Sequence, residues 1–239
     1  MAIICLAITF VAAGFLACAG TSFPARLLAN ATVTDDISPY THDELVEMAV
    51  EIRDYSFGSH NAEALDAKMD QLLAQAQADG RAPQNARGEE YRLDAAAISH
   101  LDDCYHILEM VRIPLVVIAV LAIAAAAHVR VRISRKALGT VLVTTSAFLI
   151  AAFLVAGGAA LMDFEGFFGQ FHQLFFPQGN WVFWYRSLLI CSLPEGFWMG
   201  MGTIWFATTL LLSILSIYVG LRLRKPRRRN NATSVRFNR

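Results

Sequence analysis

Long apolar stretches alternate with long mixed stretches along this chain. Four apolar stretches approach the roughly 20 residues that an α-helix needs to cross the hydrocarbon core of a bilayer; they cover residues 1–20, 113–128, 137–162 and 198–223. The second stretch is short, but the apolar residues before it and the long side chain of Arg112 let it reach both interfaces. The pattern predicts an all-α membrane protein with four transmembrane helices.

The first apolar stretch allows two interpretations. Residues 15–18 faintly resemble a lipobox, which would make the stretch a cleaved signal sequence. No Lys or Arg precedes it, although a secretory signal begins with a positively charged region. We therefore expect a retained transmembrane helix.

A polar insertion, residues 21–112, separates the first two spans. Apolar residues recur at helical spacing between Thr41 and Ala78, and Thr41 with Glu44 forms a capping box. A further helix is expected to begin near Asp94 and to continue into the second span. With 56% hydrophobic and 17% charged residues, the chain is too charged to lie wholly in lipid. The insertion is therefore predicted to form a small helical extracellular cap.

The formal net charge is zero, but the charges are sorted along the chain. Acidic residues dominate the insertion, whereas basic residues dominate the loop of residues 129–136 and the tail of residues 224–239. Short cytoplasmic loops of membrane proteins retain Lys and Arg. We expect the basic loop, the basic tail and both termini in the cytoplasm, and the cap and residues 163–197 outside.

Residues 163–197 are predicted to form an extracellular or re-entrant aromatic loop. Interfacial belts account for Trp and Tyr, but Phe is not the usual belt residue, and its density suits an apolar pocket for acyl chains. Within this loop, residues 188–193 are apolar but too short to cross, and we interpret them as re-entrant or interfacial. The aromatic residues are Phe164, Phe167, Phe168, Phe171, Phe175, Phe176, Trp181, Phe183, Trp184 and Tyr185.

Two histidines are the best candidates for chemistry. His100 and Asp103 are three residues apart and share a helix face, so the carboxylate is expected to hold one ring nitrogen of His100. His172 has Phe residues on both sides in the sequence, and burial lowers the pKa of an imidazole, which suits a general base. The sequence leaves open which of the two histidines is the base.

Two other functions remain open on the residues alone. His100, Asp103, His106 and His172 are candidate ligands of a zinc-dependent membrane lipid hydrolase. A non-catalytic membrane protein whose cap binds a partner is the other alternative. Known nucleophile, nucleotide and zinc-protease motifs are absent, and the four cysteines form no CxxC pair.

Two blocks of sequence resemble a known family. The first is the stretch of residues 100–103 before the second span; the second comprises residues 171–176, Asn180-Trp181, residues 189–190 and Pro194-Glu195 before the last span. In order, spacing and four-helix topology, the chain resembles the lipoprotein intramolecular transacylase (Lit) family of bacterial membrane proteins.

The resemblance implies an acyltransferase of the bacterial cytoplasmic membrane. Such an enzyme moves the sn-2 acyl chain of a diacylglyceryl lipoprotein to the α-amino group of the lipoprotein's N-terminal cysteine, which produces a lyso-form lipoprotein. It implies the lipoprotein substrate and membrane lipids as partners, without nucleic acid, cofactor or metal. The implied catalytic residues are His100 and His172, supported by Asp103, and the implied substrate-binding residues are Phe171, Phe175, Phe176, Trp181 and Glu195.

Overall fold

The computed structural model describes residues 1–226, so most of the predicted basic tail lies outside the described residues. The described part of the chain contains nine α-helices and no β-strand. The helices are α1 (Ala2–Ala19), α2 (Ser22–Thr32), α3 (His42–Phe57), α4 (Ala62–Ala78), α5 (Ala95–His128), α6 (Arg135–Met162), α7 (Phe164–Phe175), α8 (Leu188–Ser192) and α9 (Glu195–Arg224).

Four of these helices, α1, α5, α6 and α9, are long and apolar enough to cross a membrane. Helices α6 and α9 approach each other closely where two glycines meet: a Cβ atom at Gly139 would lie 2.5 Å from the carbonyl oxygen of Gly220. Small residues at such a crossing let the backbones touch. Helix α1 joins α9 through the indole N–H of Trp205, which donates to the Val11 carbonyl oxygen at 2.9 Å. The predicted all-α, four-span architecture is confirmed.

Helix α5 is one continuous helix that joins the cap to the second span. Its N-cap is Asp94, whose side chain accepts a hydrogen bond from the Ala97 amide at 2.8 Å, as the sequence predicts. At 1.5 Å per residue the helix is about 50 Å long, whereas the hydrocarbon core is about 30 Å thick. Its first turns, with His100, therefore project beyond the spanning segment.

The cap is built from α2, α3, α4 and the first turns of α5 around an apolar core that continues into α8 and the adjoining ends of α1 and α9. Leu45, Met48 and Ile52 of α3 are almost completely buried in this core. The predicted capping box of Thr41 and Glu44 is present. Helix α2 was not predicted, because its short run of small and apolar residues follows directly on the first span.

The cap is fastened to α1 by a buried arginine. Arg53 of α3 donates through Nη2 to the Ala19 carbonyl oxygen at 2.5 Å, and its Nη1 pairs with Asp54 at 2.5 Å. Ala19 is the last residue of α1, where helix carbonyls lack helical partners and carry partial negative charge. This contact fixes the cap over the end of the first span.

The segment from 163 to 197 was predicted as a loop, but two helices form within it. Helix α7 is capped by Asp163, whose side chain accepts from the Gly166 amide at 2.9 Å. Helix α8 covers most of the short apolar run that the sequence predicts to be re-entrant or interfacial, and its Leu188 and Cys191 are buried in the apolar core. Its apolar residues complete the protein core, which explains a hydrophobic run too short to cross a membrane.

Candidate active site

The two histidines singled out by the sequence lie side by side. His100 comes from the projecting turns of α5 and His172 from α7, and their ring centroids are 5.7 Å apart. Each residue is only 8% exposed. A single reacting group placed between these rings would contact both imidazoles.

One nitrogen of His172 is held by its own helix. Nδ1 lies 2.9 Å from the carbonyl oxygen of Phe168, one turn earlier. A carbonyl oxygen only accepts hydrogen bonds, so Nδ1 carries the hydrogen and Nε2 carries the lone pair. The rings of Phe168 and Trp181 pack against the imidazole, with centroids 4.0 and 5.0 Å away. His172 therefore presents a neutral, basic Nε2 in apolar surroundings.

His100 has a different set of neighbours. The ring of Phe176 meets it edge-on at 4.6 Å, and the ring of Phe183 lies 5.8 Å away. Its Nε2 is 3.8 Å from the thiol sulfur of Cys104, one turn later on α5. Its Nδ1 is buried and has no hydrogen-bond partner among the described residues. One polar atom of His100 is thus left without a partner among the described residues.

Burial keeps both histidines neutral at neutral pH. It lowers the pKa of His100 to about 4; the neighbouring His172 lowers it further, and the charge of Asp103 opposes the shift. Burial also lowers the pKa of His172, opposed by its hydrogen bond to Phe168. The Cys104 thiol is buried as well, which raises its pKa to about 12 and keeps it protonated.

The sequence suggests that the Asp103 carboxylate holds His100 through a hydrogen bond. The structure shows no such bond between these two residues. Oδ2 of Asp103 instead accepts from Nε2 of Gln178 and from Nδ2 of Asn180, both at 2.8 Å. The amides of a loop that is distant in sequence thus compete successfully for the carboxylate. Asp103 acts on His100 only through its charge, and it ties the loop after α7 to α5.

The predicted substrate-binding residues fall into three groups. Phe176 and Trp181 lie directly against the histidine rings. The ring of Phe171 is T-shaped to that of His172, and the ring of Phe175 is tilted against that of Phe171, but Phe171 and Phe175 are partly exposed, at 42% and 44%. Glu195 begins α9 and is exposed, with no hydrogen bond or ion pair to any described residue. The structure brings it no contact with the histidines.

Several residues near the histidine pair were not singled out as site residues by the sequence reasoning, although Phe168 and Phe183 belong to the aromatic cluster expected to line an acyl-chain pocket. Phe168 could have been found from its spacing of four residues before His172, which places both on one helix face. Cys104 has the same spacing from His100. The remaining residues belong to the irregular loop between α7 and α8, whose contacts cannot be predicted from sequence periodicity; they are Gln178, Asn180 and Phe183.

The proposed zinc ligands do not converge. His106 lies on a different face of α5 from His100, near the ring of His60 at 6.2 Å. His60 itself stacks on Tyr105 with the ring centroids 3.9 Å apart, so it is a packed residue of the cap and not a free surface residue. In residues 1–226, no three His, Cys, Asp or Glu side chains are grouped so that they could hold a metal ion.

The family model described as lipoprotein intramolecular transacylase Lit matches residues 3–198, well over half of the chain. The chain belongs to the Lit family. The match includes helices α5 and α7, which carry the two histidines, and the loop that follows α7. Searches of curated proteins and of solved structures found no match.

Proposed function

We propose that this Lit family member moves the sn-2 acyl chain of a diacylglyceryl lipoprotein to the α-amino group of the same lipoprotein's N-terminal cysteine. The observation that carries the proposal is the buried pair of imidazoles, with complementary free nitrogens, between aromatic walls. Acyl transfer from an ester to an amine needs one proton acceptor and one donor to the developing oxyanion. The two histidines supply one of each.

His172 acts as the general base in this proposal. Its Nε2 takes a proton from the attacking amine, while its Nδ1–H remains bound to the Phe168 carbonyl oxygen. That hydrogen bond fixes the ring orientation and stabilises the imidazolium that forms, in the role that a carboxylate plays in hydrolase triads. A neutral imidazole before reaction is a requirement of this role, and burial provides it.

His100 stabilises the negative charge that develops on the carbonyl oxygen of the ester when the amine attacks. In the tautomer that this role requires, Nδ1 of His100 carries the hydrogen and Nε2 accepts from the Cys104 thiol, whose sulfur lies 3.8 Å away. This Nδ1–H is buried and points at no described acceptor. The indole N–H of Trp181, also buried and unpartnered among the described residues, is a second donor for the same oxygen.

The atoms balance without an added reagent. The amine nitrogen forms a bond to the acyl carbon, and its proton passes to Nε2 of His172. The bond between the acyl carbon and the sn-2 oxygen then breaks, and that oxygen leaves with the proton from His172. Because amine and ester belong to one molecule, the enzyme's principal task is to hold them together, a proximity effect worth several kcal/mol.

Placement in the membrane follows from the sorted charges. We propose that both termini and the basic loop face the cytoplasm of a bacterium, and that the cap and the histidine pair lie at the outer surface of the cytoplasmic membrane. The site then lies at the level where lipoprotein diacylglyceryl groups enter the bilayer.

A substrate with two different acyl chains tests the proposed function. The purified protein is incubated with an S-diacylglyceryl cysteinyl peptide that carries palmitoyl at sn-1 and oleoyl at sn-2, and the products are sequenced by mass spectrometry. Oleoyl on the α-amine with palmitoyl retained on glycerol is the expected product. Release of free oleate instead would support the hydrolase alternative, and an unchanged peptide would contradict both enzymatic functions.

A further inference from the structure

We propose that Oδ1 of Asn180 binds the α-amino group of the substrate's N-terminal cysteine, so that Asn180 selects lipoproteins with a free amine. The inference rests on the proposed function and adds a specificity-determining residue to it. It starts from three buried polar atoms, on or close in sequence to the residues that pack around the histidine pair, that have no hydrogen-bond partner among the described residues: His100 Nδ1, Asn180 Oδ1 and Trp181 Nε1.

The orientation of the Asn180 amide follows from its neighbour. Nδ2 lies 2.8 Å from Oδ2 of Asp103, and a carboxylate only accepts hydrogen bonds. The nitrogen must therefore face Asp103, and Oδ1 must face the other way. Oδ1 is a buried acceptor that this folded chain leaves without a donor.

The position of Asn180 connects it to both histidines. Asp103, which anchors it, lies one turn from His100 on α5 and is close enough for its charge to act on that imidazole. The next residue in the chain, Trp181, packs its ring 5.0 Å from the ring of His172. Asn180 is thus linked to the His100 helix through Asp103, and its neighbour Trp181 packs on His172.

The chemistry of the unpartnered atoms matches the substrate. Trp181 Nε1 is a donor, and so is His100 Nδ1 in the tautomer proposed above; both suit the oxygen atoms of an ester. Asn180 Oδ1 is the only acceptor among the three, so it requires an N–H or O–H group. The α-amine is the donor that the reaction itself needs there. The charge of Asp103 behind the amide favours a cationic or partly positive nitrogen at this place.

Gln178 offers a matched control. Its Nε2 donates to the same Oδ2 of Asp103 at the same 2.8 Å, but its side chain is exposed and leaves no buried oxygen unpaired. Replacing Gln178 removes an anchor of the loop, whereas replacing Asn180 removes an anchor and the acceptor. Any difference in ligand binding between the two variants is therefore attributed to the loss of the Asn180 Oδ1 acceptor.

The test uses ligands that bind but do not react. A dialkylglyceryl cysteinyl peptide with an ether at sn-2 is compared with the same peptide in which hydrogen replaces the α-amine, and Kd is measured in detergent micelles. We expect wild type and Gln178→Met to bind the peptide with the α-amine about tenfold more tightly than the peptide without it. Asn180→Leu, and the smaller change Asn180→Ala, should bind both peptides equally. Thermal unfolding verifies that each variant is folded.

Three results would overturn the inference: no preference in wild type, a preserved preference in the Asn180 variants, or an equal loss in Gln178→Met. Conversion of the reactive ester peptide by wild type is measured in the same preparations. If wild type converts the ester peptide and the preference survives in the Asn180 variants, only the role of Asn180 fails. If wild type does not convert it, the proposed function fails.

Discussion

At the scale of single residues, the two imidazoles are expected to tolerate different replacements. Asparagine places an amide N–H where the Nδ1–H of histidine stands, so His100→Asn keeps the proposed donor. No amide side chain replaces a base, so His172→Asn and His172→Gln lose the proton acceptor. We predict that His100→Asn retains measurable transfer, whereas both His172 variants fall at least about 100-fold in kcat.

The same comparison separates the roles of the histidines. Single-turnover rates with the mixed-chain ester peptide provide the measurement, and His100→Ala serves as the control that lacks both donor and ring. Retained activity in His172→Gln together with complete loss in His100→Asn would reverse the assignment of base and donor.

The buried histidine also predicts a pH dependence of stability. The pKa of His100 lies near 4 in the folded protein and near 6.5 when unfolded, so below pH 6.5 the unfolded chain binds a proton that the folded chain does not. Stability from this residue is therefore complete above pH 6.5 and declines towards pH 4. Between pH 7 and pH 5, the Tm of wild type in detergent should fall further than that of His100→Asn. Equal decreases would contradict the buried, neutral state of His100.

At the scale of elements, Asp103 links α5 to the loop that carries Asn180 and Trp181. Asp103→Leu removes the acceptor of two hydrogen bonds and should free this loop. We predict faster hydrogen exchange in residues 177–186 and a loss of transfer of about tenfold or more, with α5 itself unchanged. Asp102→Leu is the control, since Asp102 lies on another face of α5 and binds Tyr55. Equal exchange of the loop in both variants would contradict the link.

The elements that sequence reasoning predicted well have local signals. Asp94 and Thr41 cap helices through contacts within three residues, and the apolar spans are visible by composition. The histidine pair was found because both blocks border spans that the predicted topology brings to one side.

Most features that the sequence reasoning missed depend on contacts between residues that are distant in sequence. Asp103 was assigned to His100 by helix spacing, but the amides of Gln178 and Asn180 approach from a loop more than seventy positions away. Helix α7 is an exception, because its Phe residues at positions 164, 167, 168, 171 and 175 recur at helical spacing, and the segment was nevertheless interpreted as an aromatic loop. Residues 188–193 were interpreted as re-entrant or interfacial from their apolar composition, whereas the structure packs α8 against α3 in the apolar core.

At the scale of the whole molecule, the proposed orientation predicts which positions are open to the outside. Asn85 in the cap and Val182 in the loop after α7 are exposed, and so is Ile133 at the basic turn between α5 and α6. In a background with the four native cysteines replaced, cysteine at 85 or 182 should react with an impermeant maleimide on intact cells. Cysteine at 133 should react only after permeabilisation. Reaction at 133 in intact cells would invert the topology.

The central claim is that the buried histidine pair carries acyl transfer within one lipoprotein. The most direct measurement is mass spectrometry of a lipoprotein N-terminus from bacteria that lack other N-acylating enzymes and express wild type, His100→Ala or His172→Ala at equal levels. The account predicts the N-acyl, S-monoacylglyceryl form with wild type and only the diacylglyceryl form with a free amine in both variants. The N-acyl form in either alanine variant would contradict it.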